Sequence, residues 1–178
     1  EADSLMARAQ SIIAENLGEN NADYALMLQN RGMSMQEQGR PAEAEPLLRR
    51  ALEIDVTTLG REHSQVALVT HNLAVCLAAQ DRLDEAERLL RQALELRRAA
   101  LGDQHPDVLM DLVHLARALH ARGADAEAES RLVEAGRIFE QTRLRAGIGA
   151  VRATFEDSPY PHLAATRLAL GKKAAAWP

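Results

Sequence analysis

Residues 59–100 read LGREHSQVALVTHNLAVCLAAQDRLDEAERLLRQALELRRAA, and this stretch decides the architecture. Moved back by 42 residues it falls on residues 17–58 with 16 identities in 42. Moved forward by the same step it falls on residues 101–142 with 13 identities in 42, and neither comparison needs an insertion. Unrelated sequence of ordinary composition would give about three. Each copy opens on Leu-Gly: Leu17 and Gly18, Leu59 and Gly60, Leu101 and Gly102. A period of this length marks a stacked array, in which no copy can bury its apolar face alone.

The pattern inside a copy predicts two helices. In the first copy one helix is expected over residues 22–38, ADYALMLQNRGMSMQEQ, and Gly39 stops it because glycine tolerates a left-handed backbone. The second, over residues 42–58, sets Ala44, Leu47, Leu48, Ala51 and Ile54 at spacings of three and four, an amphipathic stripe, before Gly60. Small residues recur at matched places: Gly32, Ala74 and Ala116 on the first helix; Ala44, Ala86 and Ala128, then Ala51, Ala93 and Ala135, on the second. Large ones alternate with them, at Met35, Leu77 and Leu119 and at Leu48, Leu90 and Leu132. Small opposite large is how antiparallel helices interlock.

Composition agrees. The 178 residues include 33 Ala and 26 Leu but only five aromatic residues, a helix former's choice that predicts an all-α fold. The net charge of −5 and the scarcity of aromatic stacking platforms argue against a nucleic-acid partner. Cys76 is alone, so no internal disulfide and no thiolate zinc site can form within one chain, which fits a reducing, cytoplasmic setting. The longest apolar stretch, ALVTHNLAVCLAA, carries His and Asn and is too short to span a bilayer, so no membrane partner is expected; no signal peptide is visible. A start at Glu1 and a last helix cut at Trp177 read as an excerpt of a longer protein.

These features together resemble the tetratricopeptide repeat (TPR), and the 42-residue period resembles the long variant found in kinesin light chains and many bacterial multidomain proteins. The resemblance covers residues 1–142. Met35, Leu77 and Leu119 stand where an aromatic is usual, and Arg31 where Leu is usual. It implies a right-handed α-solenoid of antiparallel helix pairs, a TPR superhelix, with repeats at 17–58, 59–100 and 101–142. Residues 1–16 match the second helix of a truncated repeat, with Ala2, Met6, Ala9 and Ile12 in register. Residues 143–178 leave the pattern as a C-terminal helical cap or junction: one helix before Glu156, a Ser-Pro-Tyr-Pro break, and another over 162–170. Charge divides there too, 15 basic against 24 acidic residues up to 142 and six against two after it, so the basic tail is a candidate for docking on the acidic array.

No constellation for chemistry emerges. His63 and His105 fall in linkers, and His71, His114 and His120 lie on first helices without the four-residue spacing of a helical zinc site, so no metal or cofactor is expected. Ser34 sits mid-helix in GMSMQ, where a nucleophile elbow cannot form, and Gly147 with Gly149 lacks the third glycine and the strand of a nucleotide loop. Cys76 has no protease signature around it. No catalytic residue is assigned, and the chain is read as a non-enzyme.

The resemblance implies a protein-protein interaction module whose inner wall, lined by the first helices, takes a peptide or partner protein. The positions facing that groove hold Gln29, Asn30, Met33 and Gln36 in the first repeat, His71, Asn72 and Val75 in the second, and Val113, His114, Arg117 and His120 in the third. Asn30 and Asn72 are expected to bond the ligand backbone, since a side-chain amide both donates and accepts. Apolar Met33, Val75 and Val113 beside Arg117 point to a partly apolar, acidic partner. The unpaired first helix, with Leu5, Met6, Ile12 and Ile13, is a candidate for self-association. The alternative is a regulatory arm of a bacterial caspase-like (CHAT) peptidase, because the tail SPYPHLAATRLALGKKAAAW is similar to the segment joining such repeats to that domain.

Overall fold

The computed structural model describes residues 2–146 and 158–169. Among them no strand occurs and eight helices follow one another: α1 (Ala2–Leu17), α2 (Ala22–Glu37), α3 (Pro41–Leu59), α4 (Ser64–Ala78), α5 (Leu83–Leu101), α6 (Pro106–Ala121), α7 (Asp125–Ala146) and α8 (Tyr160–Ala169). The helix expected over 162–170 is α8. Most of the helix expected before Glu156, and the end of the tail, lie outside the described residues. The chain divides into two compact units, Glu1–Leu96 and Arg97–Pro178, with the division inside α5.

In the N-terminal unit the punctuation of the sequence becomes backbone geometry. Asn21 caps α2, its side chain accepting from the Tyr24 N–H at 2.9 Å. Gly39 ends the turn after it with φ of 73°, and the Gly39 and Arg40 N–H groups donate back to the Gln36 and Met35 carbonyls, each at 2.9 Å. At the matching bend of the next pair the left-handed residue is Asp81, with φ of 62°; a short polar side chain tolerates that region better than most.

Beyond the turn, α3 lies so close to α2 that a Cβ on Gly32 would stand 2.9 Å from Leu48 Cγ. Ala44, Leu48 and Ala51 are fully buried along this contact. Two apolar clusters then join one pair to the next. Tyr24, Ala25 and Leu28 of α2 meet Ala51 and Ile54 of α3 and Val69 of α4. Met35, Ala44 and Leu48 meet Leu73, Cys76 and Leu77 of α4 and Ala86 of α5. Neighbouring pairs therefore share their core, as stacked repeats must.

The isolated α1 rests on α2. Its Ile13 packs against the first cluster, whereas Ile12, expected on the same sticky edge, is 51% exposed. The side chains of Leu5 and Met6 lie outside the described ones. Arg31, the departure from the repeat pattern, donates to Gln10 Oε1 of α1 at 2.8 Å, and Gln10 donates to the Tyr24 hydroxyl at 2.9 Å. A polar residue at 31 thus serves the first pair's contact with α1.

A charged network reinforces the step from α3 to α5. Glu45 accepts from Arg82 at 2.7 and 2.8 Å, from Arg49 at 2.8 Å and from Gln80 at 3.0 Å, while Arg82 also binds Glu85. Partial burial pushes the Glu45 carboxyl up, but the hydrogen bonds from Arg49, Arg82 and Gln80 outweigh it and hold the carboxyl below its ordinary range.

In the C-terminal unit α6 and α7 repeat the small-on-large contact, with Ala116, Ala128 and Ala135 fully buried beside Leu112, Leu115, Leu119 and Leu132. Phe139 of α7 meets Tyr160 of α8 edge to face at 5.8 Å, and the Tyr160 hydroxyl donates to Glu140 at 2.7 Å. Leu163 and Thr166 of α8 are buried as well. A buried ion pair closes the start of this unit: Arg97 Nε lies 3.4 Å from Asp111 Oδ2, and Arg97 donates to the Asp107 carbonyl at 3.0 Å.

The residue one period before Arg97 is Asp55, also buried, and its Oδ2 has no hydrogen-bond partner. Burial pushes its carboxyl above the ordinary value, against a smaller opposing pull from His63. A carboxyl raised in the folded state adds stability below its unfolded pKa of about 4, and that stability is lost as pH rises through the folded value.

Two outcomes are expected. Ala86→Leu, which forces three extra carbons into the second cluster, should cost about 1–3 kcal/mol and lower the thermal midpoint; an unchanged midpoint would place Ala86 away from the helix contact. Asp55→Asn should be more stable than the parent near neutral pH, with the gain shrinking toward about pH 4, as measured by urea melts across pH. A gain that does not vary with pH would show that Asp55 carries no penalty of charge.

Candidate functional site

The candidate surface is the face of each first helix that its partner helix leaves uncovered. On α2 this face runs Leu26, Asn30, Met33 and Glu37, at steps of four, three and four that keep one side of a helix. All four are exposed, Leu26 by 46% and Met33 by 37%. On α4 the matching face is Leu68, Asn72, Val75 and Ala79: Leu68 and Ala79 are exposed, and Asn72 and Val75 are half-buried.

Amides fix the two helices side by side. Gln36 Nε2 donates to the Asn72 carbonyl at 3.1 Å, Gln65 Nε2 donates to Gln29 Oε1 at 2.7 Å, and Asn72 Nδ2 points at the Met33 sulfur at 3.4 Å. The N-terminal unit therefore presents one wall in which Leu26, Met33, Leu68 and Val75 surround two asparagine side chains.

The C-terminal unit presents its own face on α6. Met110 and His114 are half-buried, and Arg117 and Ala121 are exposed. Burial, aided by the nearby positive charge of Arg117, pushes the His162 imidazole of α8 below its ordinary value. His120, at the end of α6, pairs through Nδ1 with Asp125 of α7.

Of the residues expected to face the groove, Asn30, Met33, Asn72, Val75, His114 and Arg117 share this stripe. Gln29, His71 and Val113 each precede a stripe residue by one position, a turn of about 100° on a helix that carries them into the interior. They are 3%, 8% and 7% exposed. Gln36 and His120 sit at the edge, committed to the Asn72 carbonyl and to Asp125. Leu26, Leu68 and Met110 join the stripe beyond the expected residues, and the sequence carries their signal: they repeat at 42-residue steps, one turn before Asn30, Asn72 and His114.

The linker histidines also have a defined place. His63 and His105 stand where Asn21 stands in the first copy and cap α4 and α6, their Nδ1 atoms accepting from the Gln65 and Asp107 N–H groups at 3.1 and 3.2 Å.

The tetratricopeptide repeat model matches residues 1–55 and 65–141. The chain belongs to the tetratricopeptide repeat family. In three dimensions this TPR chain is similar to the nearly identical TPR-like repeats of a Podosopora anserina protein described as a kinesin light chain, with 26% identity and a TM-score of 0.77 over 96% of this chain and 78% of that one. A point variant of those repeats gives 26% identity and a TM-score of 0.78, over 96% and 77%. BtubC (BKLC) of P. vanneervenii gives 26% identity and a TM-score of 0.73, over 79% of this chain and 56% of BtubC. No curated protein matches the chain by sequence.

The TPR fold is a protein-interaction scaffold, typically without catalysis of its own. Among the described residues no three His, Cys, Asp or Glu side chains gather to hold a metal ion, and no helix is long and apolar enough to cross a membrane. The Cys76 thiol is buried, which pushes its pKa up, and it donates to the Pro41 carbonyl at 3.1 Å. A thiol held protonated in that way is a packing group rather than a nucleophile.

Proposed function

We propose that the chain binds an extended, partly apolar peptide segment of a partner protein along the exposed stripes of its first helices. The observation that supports this most is where the apolar surface lies. Six large apolar side chains are exposed among the described residues, and three of them, Leu26, Met33 and Leu68, belong to the α2–α4 wall. Exposed apolar side chains grouped around polar ones are a common composition for a docking surface.

Asn30 and Asn72 sit between these side chains and offer a donor and an acceptor each to a peptide backbone, which fixes a strand of partner chain without selecting its side chains. Selection comes from the apolar positions and, on the α6 face, from Arg117, whose charge favours an acidic group. A cytoplasmic setting belongs to the same reading and is supported by the single cysteine.

Peptides captured from an array and titrated against variants test the reading. Replacing both Asn30 and Asn72 by Ala removes about two hydrogen bonds of roughly 0.5–1.5 kcal/mol each, so affinity should fall about fivefold to a hundredfold while the melting midpoint holds. Arg117→Glu should abolish binding of acidic peptides and spare neutral ones. Peptides that bind the double Asn variant as tightly as the parent would move the binding surface elsewhere.

A further inference from the structure

Two side-chain amides from different helices converge on the thioether of Met33. Asn72 Nδ2, from α4, stands 3.4 Å from the sulfur, and Gln29 Nε2, one turn back on α2, stands 4.0 Å from it. Gln29 is held in this pose, since it is 3% exposed and its Oε1 accepts from Gln65 at 2.7 Å, which leaves the NH2 end turned to Met33. A thioether is a weak acceptor, so two amide donors face an atom that satisfies them poorly. The sulfur also belongs to an accessible side chain: Met33 is 37% exposed, whereas Met35, two residues on, is 6% exposed inside a core cluster.

We propose that Met33 is a site of reversible oxidation, at which a hydroperoxide converts the thioether to a sulfoxide and the two amides hold the product. The sulfur lone pair takes the terminal oxygen as the O–O bond breaks, so sulfur is oxidised and the peroxide is reduced, hydrogen peroxide to water and an alkyl hydroperoxide to its alcohol. The new oxygen is a strong acceptor placed where Asn72 and Gln29 already point. Oxidation then occupies the Asn72 amide and puts a polar group at the centre of the stripe formed by Leu26, Met33, Leu68 and Val75. Its effect on a partner rests on the peptide-binding reading above; the chemistry at the sulfur does not.

The test treats the whole chain with hydrogen peroxide, maps oxidation by tandem mass spectrometry and follows the side-chain amide resonances by NMR. Met33 should oxidise about tenfold faster than Met35, following exposure. The Asn72 NH2 resonances should move downfield as the sulfoxide forms, and methionine sulfoxide reductase should return them. In Met33→Leu, peroxide should leave them in place. Equal rates at Met33 and Met35, or a Met33 sulfoxide that leaves the Asn72 resonances unmoved, would overturn the proposal. These readouts need no partner, so a chain that oxidises as described yet binds no peptide counts against the binding surface alone.

Discussion

The contact on which the rest depends is the close approach of paired helices, and it is set by the absence of side-chain volume. Gly32 leaves Leu48 the space that a Cβ would occupy; Ala74 and Ala116 occupy its matching places on the later first helices, and Ala44, Ala86 and Ala128 stand at one place on the second helices, all fully buried. Large residues fill the gaps between these points, so the pair locks along its length. Once the second helix takes one side of the first, and the clusters around Val69 and Leu73 take the next, a single side of α2 and of α4 is left for solvent. The exposed stripe is thus a by-product of packing.

The composition of that stripe follows a different rule. Its polar side chains are mostly amides, which neither titrate nor carry a net charge, and the wall is held in shape by amide contacts running from Gln65 through Gln29 and Met33 to Asn72, with Gln36 on the Asn72 carbonyl. Charge enters the α2 stripe only at its end, in Glu37, and otherwise serves contacts between elements, as in the network of Glu45, Arg82 and Glu85. The part of this surface made by Leu26, Asn30, Met33, Leu68, Asn72 and Val75 carries no ion, so a partner can bury it without removing one from water, which is the expensive part of covering a charged surface.

Much of this was legible in the sequence because the repeat supplies its own alignment. The helix order, the buried small residues and the bend at Gly39 follow from the 42-residue period and the fixed spacing inside it. The expected wall also takes in positions one residue off the exposed stripe. Adjacent helical positions differ by a large rotation, so Asn30 is exposed while Gln29 is buried, and composition cannot separate them because both are polar amides. The roles of Arg31 and of His63 and His105 were out of reach for another reason: each is set by a partner on a different segment, or by a backbone N–H, that no periodicity reveals.

One position shows how far the copies are from being spare parts. Asp55, Arg97 and Phe139 occupy the same place on successive second helices, as an orphaned carboxyl, one half of a buried ion pair and an aromatic packed on Tyr160. Arg97 needs an acid on the helix that follows, and Asp111 supplies it, whereas the matching residue after Asp55 is Val69. A chain with its second copy duplicated would keep the small-on-large pattern and bury an arginine opposite the valine equivalent to Val69. The array is periodic in shape but not in chemistry, and its order is written at this one column.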